Sequence, residues 1–337
     1  MNILYSSSDT YAFLTGISII SLLENNKKSE FIHIYIMDNF ISQKNKIKLI
    51  EIVENYGRKI SFVPMPDMKK LTGQEIDTRR WNISTFGRLY MASALPMFVD
   101  KVLNIDCDTI ILDSIEELWN TDITGKVFGG MLECMNDRYR RNVGKKNGAL
   151  YMNGGIVLFN LEEVRKGNYE KYFTNYIKQY GSTLAYLDQD VLNAVVEEEK
   201  KVKLPMRYNV LSIYFYATYE QVLKIRRARK LYFYSKDEYN ATIKNPGIVH
   251  FTSCFLDGLR PWVIGNKHPY LHRFIDYKMM SPWKDIPLQK DNRSKISKLL
   301  TNMIRKSPRF ILCEVSSILH GIIIPERNYQ KMKKVKE

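Results

Sequence analysis

At 337 residues, with 45% hydrophobic and 26% charged residues, the chain has room for one large α/β domain with appendages or for two smaller ones. That composition excludes a disordered chain and an integral membrane bundle. The formal charge of +15 suits an anionic partner, whether a phosphorylated substrate, an acidic membrane face or nucleic acid, and twelve Lys or Arg against four Asp or Glu in the last 48 residues place over half of it in the tail.

Taken in order, Asn2 to Ser7 predicts a first strand, entered with no basic, cleavable apolar leader, so export by a signal peptide is not expected. Tyr11 to Asn25 predicts a helix and Phe31 to Met37 a second strand. Ser42 to Tyr56 predicts a helix with Leu49, Ile52, Val53 and Tyr56 on one face, and Lys59 to Val63 a third strand. Three strands with two crossovers form a nucleotide-binding half of the doubly wound kind. Neither Gly-x-Gly-x-x-Gly nor Gly-x-x-x-x-Gly-Lys-Ser/Thr follows the first strand, so dinucleotide fingerprint and P-loop are both absent.

Further on, Ser84 to Ala94 predicts a helix, Val102 to Ile105 the central strand and Val127 to Glu133 another. Tyr151 to Phe159 predicts a strand broken by Asn153-Gly154-Gly155, where glycines mark a bulge or a close approach of ligand or backbone. Tyr169 to Tyr180 and Asp188 to Val196 read as helices and Gly247 to Phe251 as a short strand; beyond Pro261-Trp262 the pattern is irregular. The alternation predicts an α/β domain with a mostly parallel sheet flanked by helices, over residues 1–280. Arg79-Arg80, Arg138 to Arg141 and Lys145-Lys146 read as solvated loops. Cys107, Cys134, Cys254 and Cys313 form no Cys-x-x-Cys pair and fit reduced thiols in a cytoplasmic protein.

Residues 281–337 form the tail. Ile296, Leu299, Leu300, Met303 and Ile304 recur at helical spacing between Lys295, Lys298, Arg305 and Lys306, a basic amphipathic helix. Phe310 to Ile324 is apolar, yet it holds Glu314 and His320 and is too short to span a bilayer. Two readings fit: a segment lying in an anionic membrane interface, peripheral on the inner leaflet, or a helical pair packed on the domain.

Val102 to Leu112 sets Asp106 and Asp108 inside an apolar run. At the end of a buried strand, ionised carboxylates need a cation or donors, and alternation sends both to one face, about 7 Å apart. Turn or capping aspartates are the plainer reading of the tripeptide alone. His250, ending the Gly247 strand, would complete a nitrogen and oxygen set suited to Mn²⁺ or Mg²⁺, while a satisfied polar residue is the bland alternative. Arg88 and Arg260 are candidate phosphate binders.

On Tyr5-Ser-Ser-Ser-Asp-Thr-Tyr-Ala12, Arg88, Lys101-Val-Leu-Asn-Ile-Asp-Cys-Asp108, Tyr151-Met-Asn-Gly-Gly155, Leu187-Asp-Gln-Asp190, Leu204-Pro-Met-Arg-Tyr-Asn209 and His250-Phe-Thr followed by Arg260-Pro-Trp262, the chain resembles family 8 of the retaining glycosyltransferases. That group holds glycogenin and the bacterial lipopolysaccharide galactosyl- and glucosyltransferases. The resemblance covers about residues 1 to 265 and implies a GT-A-like nucleotide-sugar-binding domain. It also implies transfer of galactose or glucose from a UDP-hexose to an oligosaccharide or lipid-linked saccharide, in lipopolysaccharide or other cell-surface polysaccharide synthesis. By the same resemblance Asp106, Asp108 and His250 hold Mn²⁺ or Mg²⁺, and Ser7, Ser8, Asp9 and Tyr11 line the uridine pocket. Arg88, Asp106, Cys107, Asn153, Gly154, Asp188, Gln189, Gly258 and Arg260 contact the rest of the donor, with Asp106, Asp188 and Gln189 at the reacting centre. Ser8 departs from the acidic or amide residue common in the family, and the family's His-x-x-Gly-x-x-Lys-Pro-Trp is expanded here, leaving Gly258 without a settled role and Arg260 in place of lysine. Competing readings are a sugar-nucleotide pyrophosphorylase, which lacks its glycine-rich loop here, and a noncatalytic polyanion binder. Nucleic-acid binding is not expected, since no basic module interleaved with aromatics is present. A glycosidase built on Asp106 and Asp188 would need the two carboxylates astride a glycosidic bond.

Overall fold

The structure, a computed structural model, describes residues 1–76, 78, 82–254, 256 and 259–336, without the side chains of Arg305 and Lys336. The expectations for Arg79-Arg80 and Gly258 fall outside the described residues. The strands are β1 (Asn2–Ser8), β2 (His33–Asn39), β3 (Lys59–Pro64), β4 (Lys101–Ile105), β5 (Thr109–Ile111), β6 (Phe128–Leu132), β7 (Met152–Asn160), β8 (Lys201–Lys203), β9 (Val210–Leu211) and β10 (Ile248–His250). Among the described residues they form a seven-stranded sheet ordered β3-β2-β1-β4-β7-β6-β8 and a small sheet ordered β5-β10-β9. β1 pairs in parallel with both β2 and β4, β2 with β3, and β6 with β8, whereas β7 runs antiparallel to β4 and β6. Because the chain leaves β1 toward β2 on one side and returns through β4 on the other, the carboxyl ends of β1 and β4 flank the switch point where such sheets bind ligands.

Helix α1 (Ala12–Asn25) is apolar almost all round, as expected of a helix buried on both sides. Three of its polar groups face β5: Ser18 bonds Thr109 at 2.8 Å, Ser21 Oγ accepts from Ile111 N at 2.8 Å, and Asn25 Nδ2 donates to Ile111 O at 3.0 Å. The helix therefore pins the strand that follows Asp108. Helix α2 (Gln43–Asn55) buries only Leu49, Ile52 and Val53, and Ser42 caps it by accepting from Asn45 N.

Four expectations change, the first at Arg138 to Arg141, which are not a solvated loop but part of a helix at Asp137–Asn142 that buries Arg140. The central strand ends at Ile105 as expected, but Asp106 and Asp108 are not set by strand alternation: β4 and β5 belong to different sheets, because β4 finds its partners in β1 and β7 and β5 finds its own in β10, so residues 106–108 form a corner. The expected helix at Ser84 to Ala94 is a tighter 3₁₀ turn over Ile83–Tyr90, capped by Asn82, followed by a short α-helix at Met91–Ala94. Beyond Trp262 the chain is ordered as well, with a helix at Leu271–Met279. Trp283 then inserts against α1, where a Cβ on Gly16 would lie 2.4 Å from its ring.

In the tail, helices at Lys295–Lys306, Arg309–Ile318 and Ile324–Lys336 enclose a π-turn at Leu319–Ile323. Pro325 explains the turn, since it has no N–H for the carbonyl of Gly321. Asn136 Nδ2 takes that carbonyl at 2.9 Å, and Asn142 Nδ2 binds the Pro325 carbonyl at 2.8 Å. Arg227 bonds Ser317 at 2.8 Å and Arg141 pairs with Glu326 at 2.8 Å, so this half of the tail is docked on the helices at Asp137–Asn142 and Tyr219–Arg226.

Since Trp283 is 3% exposed, Trp283→Ala should cost about 3–5 kcal/mol in chemical denaturation; a loss below about 1 kcal/mol would mean that the ring is dispensable to the core.

Candidate active site

β4 ends opposite Ile156 of β7, and Asp106 N donates to the Gly155 carbonyl at 2.8 Å. Thr109 Oγ1 donates to the Asp106 carbonyl at 2.8 Å and closes the corner. β10 runs antiparallel to β5 with His250 opposite Thr109, and Phe251 N donates to Asp108 O at 2.8 Å. The ladder thus delivers His250 to the aspartates: its Nε2 lies 3.1 Å from Asp108 Oδ1 and 3.6 Å from Asp106 Oδ2. One donor atom from each of the three lies within 4.8 Å of the other two. An imidazole with two carboxylates and no thiolate fits Mn²⁺ or Mg²⁺, and the carboxylates already draw on cations to offset their burial.

Those cations are two arginines. Arg88, buried on the 3₁₀ turn, donates through Nη2 to Asp106 and through Nη1 to the Gly154 carbonyl, and its Nε lies 3.0 Å from Asp188 Oδ2. Arg260 reaches Asp108 Oδ2 at 3.2 Å while its guanidinium lies 5.3 Å from the Trp262 ring centre. The titrations follow. Burial pushes the Asp188 carboxyl up to about 7 against the pull of Arg88, since one guanidinium is shared between Asp188 and Asp106. Burial also works against an ionised Asp108, but His250 and Arg260 outweigh it and hold that carboxyl at about 2. His250, whose charge burial disfavours, is nonetheless raised by Asp108 and Asp106.

Asp188 and Gln189 lie in the first turn of the helix Leu187–Val195, and Leu187 enters it at φ 43°, a strained conformation for a leucine that aims both side chains inward. Gln189 Oε1 accepts from Gly154 N at 2.9 Å. Tyr11, half-buried, lies beside Arg260 and Asp108. Ser8 is nearly buried and bonded to Thr10 and Asn82, while Asp9 Oδ1 accepts from Ser42 N and Asn45 Nδ2, each at 2.8 Å. The side chains of Ser7 and Cys107 are turned inward, so the part expected of them toward a donor would fall to their backbone. The Ser7 hydroxyl is bonded to Thr15 at 2.8 Å, and the Cys107 thiol donates to Ser6 O at 3.2 Å and is pushed up to about 12 by burial. Corner geometry explains Cys107: with Asp106 and Asp108 outward, the residue between them must face α1.

Asn153 and Gly154 join the site, but Asn153 is largely committed within the protein, and three neighbours stand beside it that were not among the predicted site residues. Glu133 accepts from Asn153 Nδ2 at 2.5 Å, Asn209 donates to Asn153 Oδ1 at 2.7 Å, and Gly155 leaves space for the His250 ring. Asn209 ends a quoted motif and Gly155 a glycine pair, so both carried a signal; Glu133 carried none. A separate cleft of about 890 Å³ opens beside the ends of β2 and β3, lined by residues such as Asn39, Phe40, Met65 and Met68, and does not include the acidic cluster.

Comparison with known proteins bears on this geometry. The profile of glycosyl transferase family 8 matches residues 2–263. This chain belongs to glycosyltransferase family 8. The glycosyltransferase is 27% identical to general stress protein A of Bacillus subtilis, over 85% of this chain and 96% of that protein. It is 23% identical to the lipopolysaccharide 1,2-glucosyltransferase of Escherichia coli, over 86% and 81% of the two chains. A crystal structure of the galactosyltransferase LgtC in complex with donor and acceptor sugar analogs superposes with a TM-score of 0.71 at 23% identity, covering 84% of this chain and 96% of that one, which establishes the GT-A fold.

For this glycosyltransferase, Asp188 binds a proton in the folded state between its ordinary range and about 7, so its stabilising share falls as pH rises through that window. The melting temperature of wild type minus that of Asp188→Asn should therefore decrease from about pH 5 to about pH 8. A difference independent of pH would contradict the shared-guanidinium account.

Proposed function

We propose that the chain transfers galactose or glucose from a UDP-sugar to a saccharide acceptor with retention of configuration, in building lipopolysaccharide or another cell-surface polysaccharide. The observation that carries this reading is the convergence of Asp106, Asp108 and His250 between Arg88 and Arg260 at the sheet's switch point. Mn²⁺ or Mg²⁺ held by those three residues would supply Lewis-acid stabilisation of the charge that grows on the departing diphosphate. Arg260, steadied on Trp262, adds a fixed positive group for the same oxygens, and a preorganised donor of this type contributes roughly 3–4 kcal/mol.

Asp188, with its carboxyl held close to Arg88, is placed to accept hydrogen bonds from sugar hydroxyls. Gln189 is a poor nucleophile, and its carbonyl oxygen is occupied by Gly154 N. Front-face attack follows: the bond from C1 to the β-phosphate oxygen breaks, the acceptor oxygen bonds to C1, and its proton passes to the departing phosphate. A glycosidase pairing of Asp106 with Asp188 is disfavoured because Arg88 bridges the two carboxylates.

In a UDP-release assay with Mn²⁺ across a panel of UDP-sugars, one UDP-hexose should be hydrolysed, and Asp108→Ala should lower the rate about 10²- to 10³-fold. Release unaffected by the substitution contradicts the metal role.

A cytoplasmic location with the tail on the inner membrane leaflet belongs to the same proposal. On the helix Lys295–Lys306, Ile296 is 72%, Leu299 61%, Leu300 52% and Met303 58% exposed, a solvent-facing apolar ridge flanked by Lys295, Lys298 and Lys306. Phe310, Ile311, Val315 and Ile318 are exposed on the next helix as well. No helix among the described residues is long and apolar enough to cross a membrane. Docking on the domain and binding a leaflet are compatible, since the buried faces of the tail differ from this ridge. Leu299→Glu with Met303→Glu should weaken co-sedimentation with phosphatidylglycerol vesicles at least about tenfold while free-donor hydrolysis persists. Unchanged sedimentation rejects the docking.

A further inference from the structure

The backbone N–H of Gly155 has only one possible role, that of donor, and it donates to Asn153 Oδ1 at 2.8 Å. That fixes which end of the Asn153 amide is oxygen, and Glu133 confirms it from the other side by accepting from Asn153 Nδ2 at 2.5 Å. The group that Asn209 turns toward the same oxygen, 2.7 Å away, must then be its own Nδ2. The Asn209 oxygen is left facing His250 Nδ1 at 3.0 Å, so Nδ1 carries a hydrogen and Nε2 is the nitrogen turned to Asp108 and Asp106. Asn209 and His250 are both buried, so water does not compete for these positions.

Register and space make the arrangement rigid. β9 begins at the residue after Asn209 and pairs in parallel with β10, Leu211 opposite His250. The His250 ring packs against Gly155, where an added Cβ would meet its Cε1 at 2.3 Å and its Nδ1 at 2.5 Å. Asn153 has both acceptor positions and one N–H spent inside the protein, which leaves one N–H for a ligand.

We propose that Asn209 is a positioning residue that fixes the tautomer and ring plane of His250, so that Nε2 is the nitrogen offered to a divalent cation, with Asn153 setting the direction of the Asn209 amide. The inference rests on the metal reading above. It differs from space-filling in requiring an acceptor at position 209: Asn209→Leu keeps the volume and removes the acceptor, while Asn209→Asp keeps it.

The test is Mn²⁺ binding by calorimetry on the full chain and both variants, with thermal melts to confirm folding. Kd should rise about 10- to 100-fold in Asn209→Leu and by much less in Asn209→Asp. A second measurement is the ¹⁵N spectrum of histidine-labelled wild type loaded with ¹¹³Cd²⁺, in which the coupling should appear at Nε2 of His250. Asn209→Leu binding Mn²⁺ as tightly as wild type, or coupling at Nδ1, overturns the positioning role while leaving the metal site standing. Wild type that binds no divalent ion removes the metal reading and this inference with it.

Discussion

Three acidic side chains, Asp106, Asp108 and Asp188, are gathered at the mouth of one sheet, and holding that negative charge out of bulk water is the constraint around which the site is arranged. Arg88 is placed between two of them, Arg260 and His250 against the third. Each of these partners is supplied by a different element: a 3₁₀ turn, the segment before Trp262 and the strand β10. The balance is incomplete, which is why the Asp188 carboxyl is raised. A site in this condition favours a further positive charge, and family membership gives that preference a chemical use.

The backbone serves the same end. The chain leaves the large sheet at Ile105 and enters the small one at Thr109, so both aspartates sit on a corner whose ends are each held by a ladder. α1 braces the far side through Ser18, Ser21 and Asn25, polar groups that are otherwise costly in a helix buried all round. Trp283 packs on the opposite face of α1, so the segment after the helix at Leu271–Met279 supports the corner at second hand. The tail adds its own link: it docks on the helix that carries Arg226, and Arg226 faces Glu133 at 3.9 Å, the residue that orients Asn153.

Several parts of this were legible in the chain alone. An apolar run interrupted by Asp106 and Asp108, the glycine pair at 154 and 155, and His250 at a strand end are local patterns, and the chemistry of each residue type limits what it can hold. The first three strands, the helices that link them and the amphipathic face of α2 follow from periodicity. Less was legible where long-range pairing overrode local preference. The run Val102 to Leu112 has the propensity of one strand, and only its choice of partners splits it. Ser7 and Cys107 sit in the motifs that point to a ligand, yet their side chains face α1, because direction at a corner is set by what packs behind it.

By itself the sequence determined the α/β class, the family, and which side chains could serve as ligands and counter-charges, since these depend on residue type, spacing and hydrophobic period. The tertiary structure alone decided which of them meet. Asn209 next to His250, Arg88 between two acids, and Glu133 behind Asn153 are contacts between residues 18 to 100 positions apart in the chain, brought together by the fold and by strand register. No local pattern encodes them; they exist because two sheets share one corner, and the pairing of β10 with β5 and β9 leaves the imidazole a single bed, over a residue with no Cβ.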